Sequence, residues 1–216
     1  MKELMYTLLE DRSPYYIKFT YNNLDRFVAT ARELYQDQNK LIARKSVTGS
    51  EIEFNQAQDV YSDKLIKLTP FGASLKLKHV FFFKCVPGMF FDAHVDSHAC
   101  FHVNYPITLL DQAGYNHWYN NDMIEAKYLN GVPDATKGFS HIKNFDPDYA
   151  PSQSVVFAPN EAMLFNTKIY HSIDNRASRH ERMVMALRPG NSEMSFDQAR
   201  ACLFNDQEHN NGFASL

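Results

Sequence analysis

The stretch Phe90-Phe91-Asp92-Ala93-His94-Val95-Asp96 decides how this chain is read. Its apolar and aromatic residues suit an extended strand, and residues two apart on a strand share a face, so His94 and Asp96 project together. A second run, Asn166-Thr167-Lys168-Ile169-Tyr170-His171-Ser172-Ile173-Asp174-Asn175, places His171 75 positions after Asp96 (171 − 96), again in a strand-like context. Two imidazoles and one carboxylate can hold one iron(II) ion from one side and leave positions open for a cosubstrate and O2. His94, Asp96 and His171 are therefore the metal-ligand and catalytic candidates, and the chemistry they suggest uses oxygen.

Working outward, the surrounding sequence is a series of short apolar runs broken by turn residues. His79 to Val86 ends at Pro87-Gly88; Met89 to Asp96 and Phe101 to Thr108 follow; Ser154 to Ala158, Ala162 to Phe165, the His171 segment and Glu181 to Arg188 come later. That texture predicts an all-β barrel or sandwich. Asp111 to Ala150 interrupts the series with Asn, Asp, Gly, Tyr and Pro, and loops of such length are usually functional, so a substrate lid is expected there. Before the series, Tyr15 to Tyr21 reads as a strand. Asn22 or Asn23 then caps a helix through Gln36, with Leu24, Phe27, Val28, Ala31 and Leu34 on its apolar stripe, which is expected to pack against the outside of a sheet. Gln38 to Ser74 supports no firm assignment. Ser192 to Asn205 predicts a C-terminal helix behind Ser195, with Gln207 to Leu216 frayed.

Composition narrows the function. The 216 residues, 44% of them hydrophobic, are expected to form one domain with a substantial core. A formal charge of −3 and a pI near 6.3, with scattered lysines and arginines, leave no footprint for nucleic acid. Cys85, Cys100 and Cys202 lack CxxC spacing and are expected to be buried, reduced thiols. With no leader-like or membrane-spanning stretch, a soluble cytoplasmic protein is expected.

These residues together resemble the iron(II)/2-oxoglutarate-dependent dioxygenases, whose core is a double-stranded β-helix, or jelly-roll. The resemblance rests on Pro87-Gly88 leading into His94-Val95-Asp96, on Asn104-Tyr105-Pro106-Ile107, and on Phe165-Asn166-Thr167 ahead of His171-Ser172-Ile173-Asp174-Asn175, and it covers about Leu75 to Arg188. It implies a mainly β fold of two facing sheets with the metal at one mouth, supported by the N-terminal helix and a short C-terminal one. It also implies Fe(II), 2-oxoglutarate as cosubstrate and O2, with an amino-acid, peptide or small-molecule substrate hydroxylated as succinate and CO2 are released. In that family an arginine on the strand after the distal histidine pairs with the C5 carboxylate of 2-oxoglutarate, and Arg182, 11 positions past His171 (182 − 171), matches it. A guanidinium suits the task because its fork grips a carboxylate bidentately and stays charged. Many members carry a serine or threonine two residues later, whereas this chain has Val184, so a second donor is sought among Asn104, Tyr105 and His102, with Asn104 assigned to the cosubstrate. Arg188 shares the face of Arg182, and Arg179 is close by in sequence. The Asn-Tyr-Pro strand also resembles the aspartyl/asparaginyl hydroxylase branch, but that branch often replaces the acidic ligand and Asp96 is present here, so its substrate does not carry over.

The remaining candidates have plainer expectations. His98 and His102 are assigned surface or supporting roles, and His79, His117, His141, His180 and His209 no role in the chemistry. Phe81-Phe82-Phe83 and Phe90-Phe91 are read as core, and Trp118 and the tyrosines of the long loop as either a substrate clasp or loop anchors. Two rival readings stand beside the oxygenase: a cupin-like metalloprotein with non-oxidative chemistry, and a jelly-roll binding module with a degenerate site.

Overall fold

The chain alternates between two antiparallel sheets, and that alternation brings distant residues to one place. A computed structural model describes residues 6–44, 53–96, 99–108, 114–128, 140–142, 145–190 and 194–208. Strands β1 (Tyr6–Arg12) and β2 (Tyr16–Tyr21) form a hairpin, followed by helix α1 (Leu24–Gln36), β3 (Leu41–Arg44), β4 (Glu53–Ala57) and α2 (Asp59–Ile66). Next come β5 (Leu77–Cys85), β6 (Phe90–Val95), β7 (Phe101–Thr108), β8 (Tyr115–Trp118), α3 (Asn121–Tyr128) and β9 (Ser140–His141). The chain continues with β10 (Gln153–Val156), β11 (Ala162–Asn166), β12 (His171–Asp174), β13 (Arg182–Pro189) and α4 (Phe196–Glu208). One sheet has the order β1-β2-β11-β7-β13-β5-β4-β3 and the other β10-β8-β12-β6-β9. From β5 to β13 the chain crosses repeatedly between them, which makes a jelly-roll with β1–β2 and β3–β4 extending the larger sheet at either edge.

Strand periodicity sorts side chains onto two cores. On the outer face of the large sheet, Val80, Phe82, Val103, Tyr105, Met185 and Leu187 meet Leu24, Phe27, Ala31, Leu65 and Leu203 from α1, α2 and α4. The stripe expected on α1 is buried there, with the Phe27 ring 4.8 Å from that of Tyr105. Truncating such a residue to Ala typically costs about 3–5 kcal/mol. Between the sheets, Tyr16, Trp118, Val155, Phe157, Met163, Phe165 and Val184 form the second core. Behind the small sheet, Ala93, Tyr119, Ile124, Ile142, Phe145 and Tyr170 form a third cluster.

Several expectations change. Asn23 precedes α1 in the left-handed region (φ 67°) and makes no side-chain cap; its carbonyl accepts from Phe27 instead. Ser195 does cap α4, since its hydroxyl accepts from the Gln198 amide while the Gln198 side chain accepts from the Ser195 amide. The stretch expected to be a lid from Asp111 to Ala150 contributes β8 to the heart of the small sheet, and α3 and β9 as well. Trp118 and Tyr119 are fully buried, so they anchor rather than clasp. Residues 111–113, 129–139 and 143–144 lie outside the described residues, as do 209–216 of the expected frayed end. Cys85 is buried, but Cys100 is half-buried and Cys202 exposed on α4, correcting the reading of all three as buried. Among the described residues, no helix is long and apolar enough to cross a membrane.

Candidate metal centre

His94 and His171 are register partners across β6 and β12, which fixes their side chains side by side with ring centroids 4.3 Å apart. The pairing shifts by one residue just beyond His171, a bulge that lets Phe91 as well as His94 face the interior. Past the end of β6, the Asp96 amide donates to the Thr167 carbonyl at 3.0 Å and the Lys168 ammonium to the Asp96 carbonyl at 2.7 Å. Thr167 is itself fully buried and its hydroxyl donates to the Ala99 carbonyl at 2.6 Å. The backbone around Asp96 is therefore tied to the turn that leads into His171. One ligand atom from each of His94, Asp96 and His171 lies within 4.8 Å of the others, a group able to hold a metal ion.

Hydrogen bonding selects the right imidazole nitrogens. The Nδ1 of His94 lies 2.9 Å from the Asp92 carbonyl, and the Nδ1 of His171 2.9 Å from the Ile169 carbonyl. A carbonyl can only accept, so each Nδ1 carries the proton and each Nε2 is left with its lone pair, the form that ligates metal. Burial pushes the His171 pKa down and keeps it neutral. Burial alone would raise the Asp96 carboxyl, but His102, Arg188, His171 and His94 more than offset it and hold it well below the usual carboxylate range. The donor set is thus two neutral imidazoles and one carboxylate, a fit for a divalent first-row metal.

His102 stands behind this group. Its Nε2 is 3.2 Å from Asp96 Oδ2 without hydrogen-bond alignment, and burial pushes its pKa well down, helped by Arg188. It is buried beside a ligand rather than on the surface. His98 lies outside the described residues. Asn104 is buried two positions along β7 on the same face, opposite Ala186, with its Oδ1 unpartnered. Tyr105 points the other way, into the outer core, so it is not available as a cosubstrate donor.

Arg182 opens β13 at the other end of the interior. It is 4% exposed, its guanidinium lies 5.1 Å from the Phe157 ring, and Nη1 donates to the Tyr115 carbonyl at 3.2 Å. Its Nε and Nη2 are buried without a hydrogen-bond partner. A buried donor left unmade is costly, so such a group calls for a partner, whether a ligand, an ion or an ordered water. Asn116 on β8 and Asn175 after β12 also carry unpartnered buried atoms, Nδ2 and Oδ1 respectively. The Asn175 amide group donates to the carbonyls of Val86 and His180 at 2.8 and 3.2 Å, stitching the end of β5 to the approach of β13. A carboxylate fits this polar, donor-rich end. Sequence reading missed Asn116 because its strand was taken for loop. His117, given no role, bridges Ser154 (2.7 Å) and Asp174 (3.6 Å) on the outward face of the small sheet.

No family model and no curated protein matches the chain in sequence. Among solved structures, it is similar to the epimerase SnoN, determined with Fe3+, alpha ketoglutarate and nogalamycin RO, at 13% identity and a TM-score of 0.52. The match covers 81% of this chain and 78% of SnoN. It is also similar to the non-heme alpha ketoglutarate dependent carbocyclase SnoK from nogalamycin biosynthesis, at 12% identity and a TM-score of 0.52, covering 83% of this chain and 84% of SnoK. Hazelnut (Corylus avellana) vicilin matches at 11% identity and a TM-score of 0.38, over 69% of this chain, which spans 31% of that protein. At these identities the likeness concerns the fold, and the fold is the jelly-roll.

Proposed function

We propose that this chain is an iron(II)- and 2-oxoglutarate-dependent oxygenase that hydroxylates an amino-acid, peptide or small-molecule substrate. The observation that carries the reading is Arg182, a fully buried guanidinium with two unpartnered donors in the interior whose mouth holds His94, Asp96 and His171. A metal jelly-roll without an acidic cosubstrate gives the Nε and Nη2 of that arginine no carboxylate to meet. That SnoN and SnoK are described with alpha ketoglutarate supports the reading by analogy of fold.

His94, Asp96 and His171 would hold the iron, which when bound supplies O2 activation coupled to conversion of 2-oxoglutarate to succinate and CO2. The protein's share is ligation, orientation and shielding. The carbonyls of Asp92 and Ile169 fix both histidine tautomers, and His102 backs the carboxylate of Asp96. Arg182 would grip the distal carboxylate, with Asn104 and Asn116 offering polar atoms along the way. Trp118, stacked 5.2 Å from Tyr16 and 4.6 Å from Phe165, keeps water from that side of the interior. On this reading the chain acts as one catalytic domain, works in the cytoplasm and needs neither nucleic acid nor a membrane.

The test is an anaerobic titration with Mn(II) and then 2-oxoglutarate, followed by aerobic assay of succinate with Fe(II). Metal-dependent 2-oxoglutarate binding and succinate formation are expected. Metal binding with no affinity for 2-oxoglutarate would replace the oxygenase by a cupin-like protein of non-oxidative chemistry.

A further inference from the structure

The large sheet carries a second arginine in a different setting. On the inward face of β4, β5 and β13, the Phe54 ring stacks on Phe81 and Phe83 at 5.0 and 4.9 Å, with interplanar angles of 13° and 24°. Arg188 lies over the same rings, 4.4 Å from the centroid of Phe81, 5.4 Å from Phe83 and 5.7 Å from Phe54. The three phenylalanines are half-buried rather than sealed, which corrects the expectation that Phe81 and Phe83 are ordinary core; only Phe82, facing the other way, is. The Arg188 Nε is buried without a partner, and among the described residues no carboxylate lies within ion-pair distance of its guanidinium. Leu187 pairs with Val103, so Arg188 lies level with His102, whose Nε2 is 3.2 Å from Asp96 Oδ2, and this places the arginine near the metal ligands. Arg44 lies on the same face of β3, paired with Phe54 in register and hydrogen-bonded to Gln56 at 2.7 and 3.0 Å.

We infer that this aromatic–arginine platform is where the oxygenase reads its prime substrate, and that the substrate is an anion with a flat apolar body, an aryl or similarly planar carboxylate. The inference rests on the function proposed above. A guanidinium stacked on ring faces keeps its N–H edges in plane and free, the geometry that accepts a carboxylate. Half-exposed rings offer a planar surface to the rest of the ligand, which a five-carbon aliphatic diacid has no means to use. The strands of this face bring Arg44 and Arg188 and no carboxylate of their own, and the nearby Asp96 carboxylate is a metal-ligand candidate, so with metal bound the platform favours negative charge. Adjacency to the triad puts a carbon of such a ligand near the reacting centre.

The probes are phenylacetate, 3-phenylpropanoate and indole-3-acetate, each against its primary amide, with butanoate as the aliphatic control. Affinities are measured by NMR titration of the protein loaded with diamagnetic Zn(II), with and without 2-oxoglutarate. At least one aryl carboxylate is expected to bind about tenfold tighter than its amide, with that preference lost in Arg188→Gln and partly kept in Arg188→Lys. Phe81→Leu is expected to erase the advantage of aryl over butanoate while keeping that of carboxylate over amide. Failure of every aryl carboxylate to outbind its amide overturns the inference, as does a preference that survives Arg188→Gln. If Arg188→Gln instead weakens 2-oxoglutarate about tenfold and touches nothing else, the arginine serves the metal end of the cosubstrate and the inference also fails. Should Arg188→Gln not fold, ring-proton shifts of Phe54, Phe81 and Phe83 on titrating the wild type decide, and no shift counts against it. Absence of 2-oxoglutarate binding in the wild type would strike the proposed function alone, because the aryl titration without cosubstrate stands apart from it.

Discussion

Arg182 and Arg188 occupy the same face of one strand, six positions apart (188 − 182), about 20 Å at the rise of a β-strand. At the first, burial is complete: Phe157 covers the guanidinium, Gly114 leaves room for its stem where a Cβ would not, and Nε and Nη2 are without acceptors. At the second, half-open aromatic rings flank the guanidinium and the metal ligands lie within electrostatic reach. A sealed cationic end suits one small, invariant ligand; an open one suits a ligand with a variable body. Residue type and strand register are equal at the two ends, so it is the surroundings that separate them.

The metal ligands lie near the open end, and removing them is the largest perturbation available. Asp96→Ala or His171→Ala is expected to abolish most metal affinity and reduce turnover to background, while the β-rich circular dichroism survives. His102→Ala, which removes only a neighbour of Asp96, is expected to weaken metal by about 10- to 100-fold, the usual cost of a lost supporting contact. Undiminished Mn(II) binding in both ligand variants would sink the assignment of the site.

Next in size is the sealed end. A charge-assisted contact is worth about 1.5–3 kcal/mol, so Arg182→Ala is expected to weaken 2-oxoglutarate by roughly 10- to 100-fold while leaving Mn(II) affinity unchanged. Arg182→Lys keeps the charge without the fork and is expected to recover only part. If Arg188→Ala abolishes succinate production and Arg182→Ala leaves it intact, the roles of the two ends are exchanged.

The sequence made the metal ligands and Arg182 far more legible than the aromatic platform. His94, Asp96 and His171 announce themselves because a metal demands particular side chains, and the period of a strand turns i, i+2 spacing into a shared face. The same period placed Arg182, Val184 and Ala186 opposite Met183, Met185 and Leu187, and the structure sorts them that way. The aromatic platform was hidden for two physical reasons. Phe54 lies in a stretch without a decisive apolar period, and whether Phe81 and Phe83 are covered depends on what packs over them, which no local pattern records. Strand β8 was hidden by composition: Tyr115-Asn116-His117-Trp118 shows no apolar alternation, because the polar Asn116 faces the interior and the polar His117 meets Ser154 and Asp174 outside.

A smaller perturbation sharpens the sealed end without deleting the arginine. A Cβ added at Gly114 would stand 2.8 Å from Asn175 Oδ1 and 3.1 Å from Arg182 Cδ, so one of them has to move. Overpacking of this kind costs about 1–3 kcal/mol, and Gly114→Ala is expected to lower stability by that order. Because the arginine remains, the loss of 2-oxoglutarate affinity is expected to be less than in Arg182→Ala. The aryl carboxylate preference at the open end is expected to be untouched; its loss would mean that the two ends are mechanically one.

The smallest effect is a titration. Burial lowers the His117 pKa, Asp174 opposes that, and Arg176 and Arg182 lower it further. His117 is thus a reporter of charge at the sealed end that belongs to neither the metal nor the cosubstrate. Removing a nearby positive charge favours the protonated imidazole, so its pKa is expected to rise in Arg182→Ala and to stay put in Arg188→Ala. Below about pH 6.5 the unfolded chain takes up a proton that folded His117 resists, so its contribution penalises folding as pH falls. Raising the folded pKa narrows the window of that penalty, and the variant's acid-side slope from this residue is expected to be shallower. NMR titration of the His117 ring protons measures the first effect directly. A pKa that shifts with Arg188 and not with Arg182 would place His117 at the wrong end of β13 and break the comparison at its simplest point.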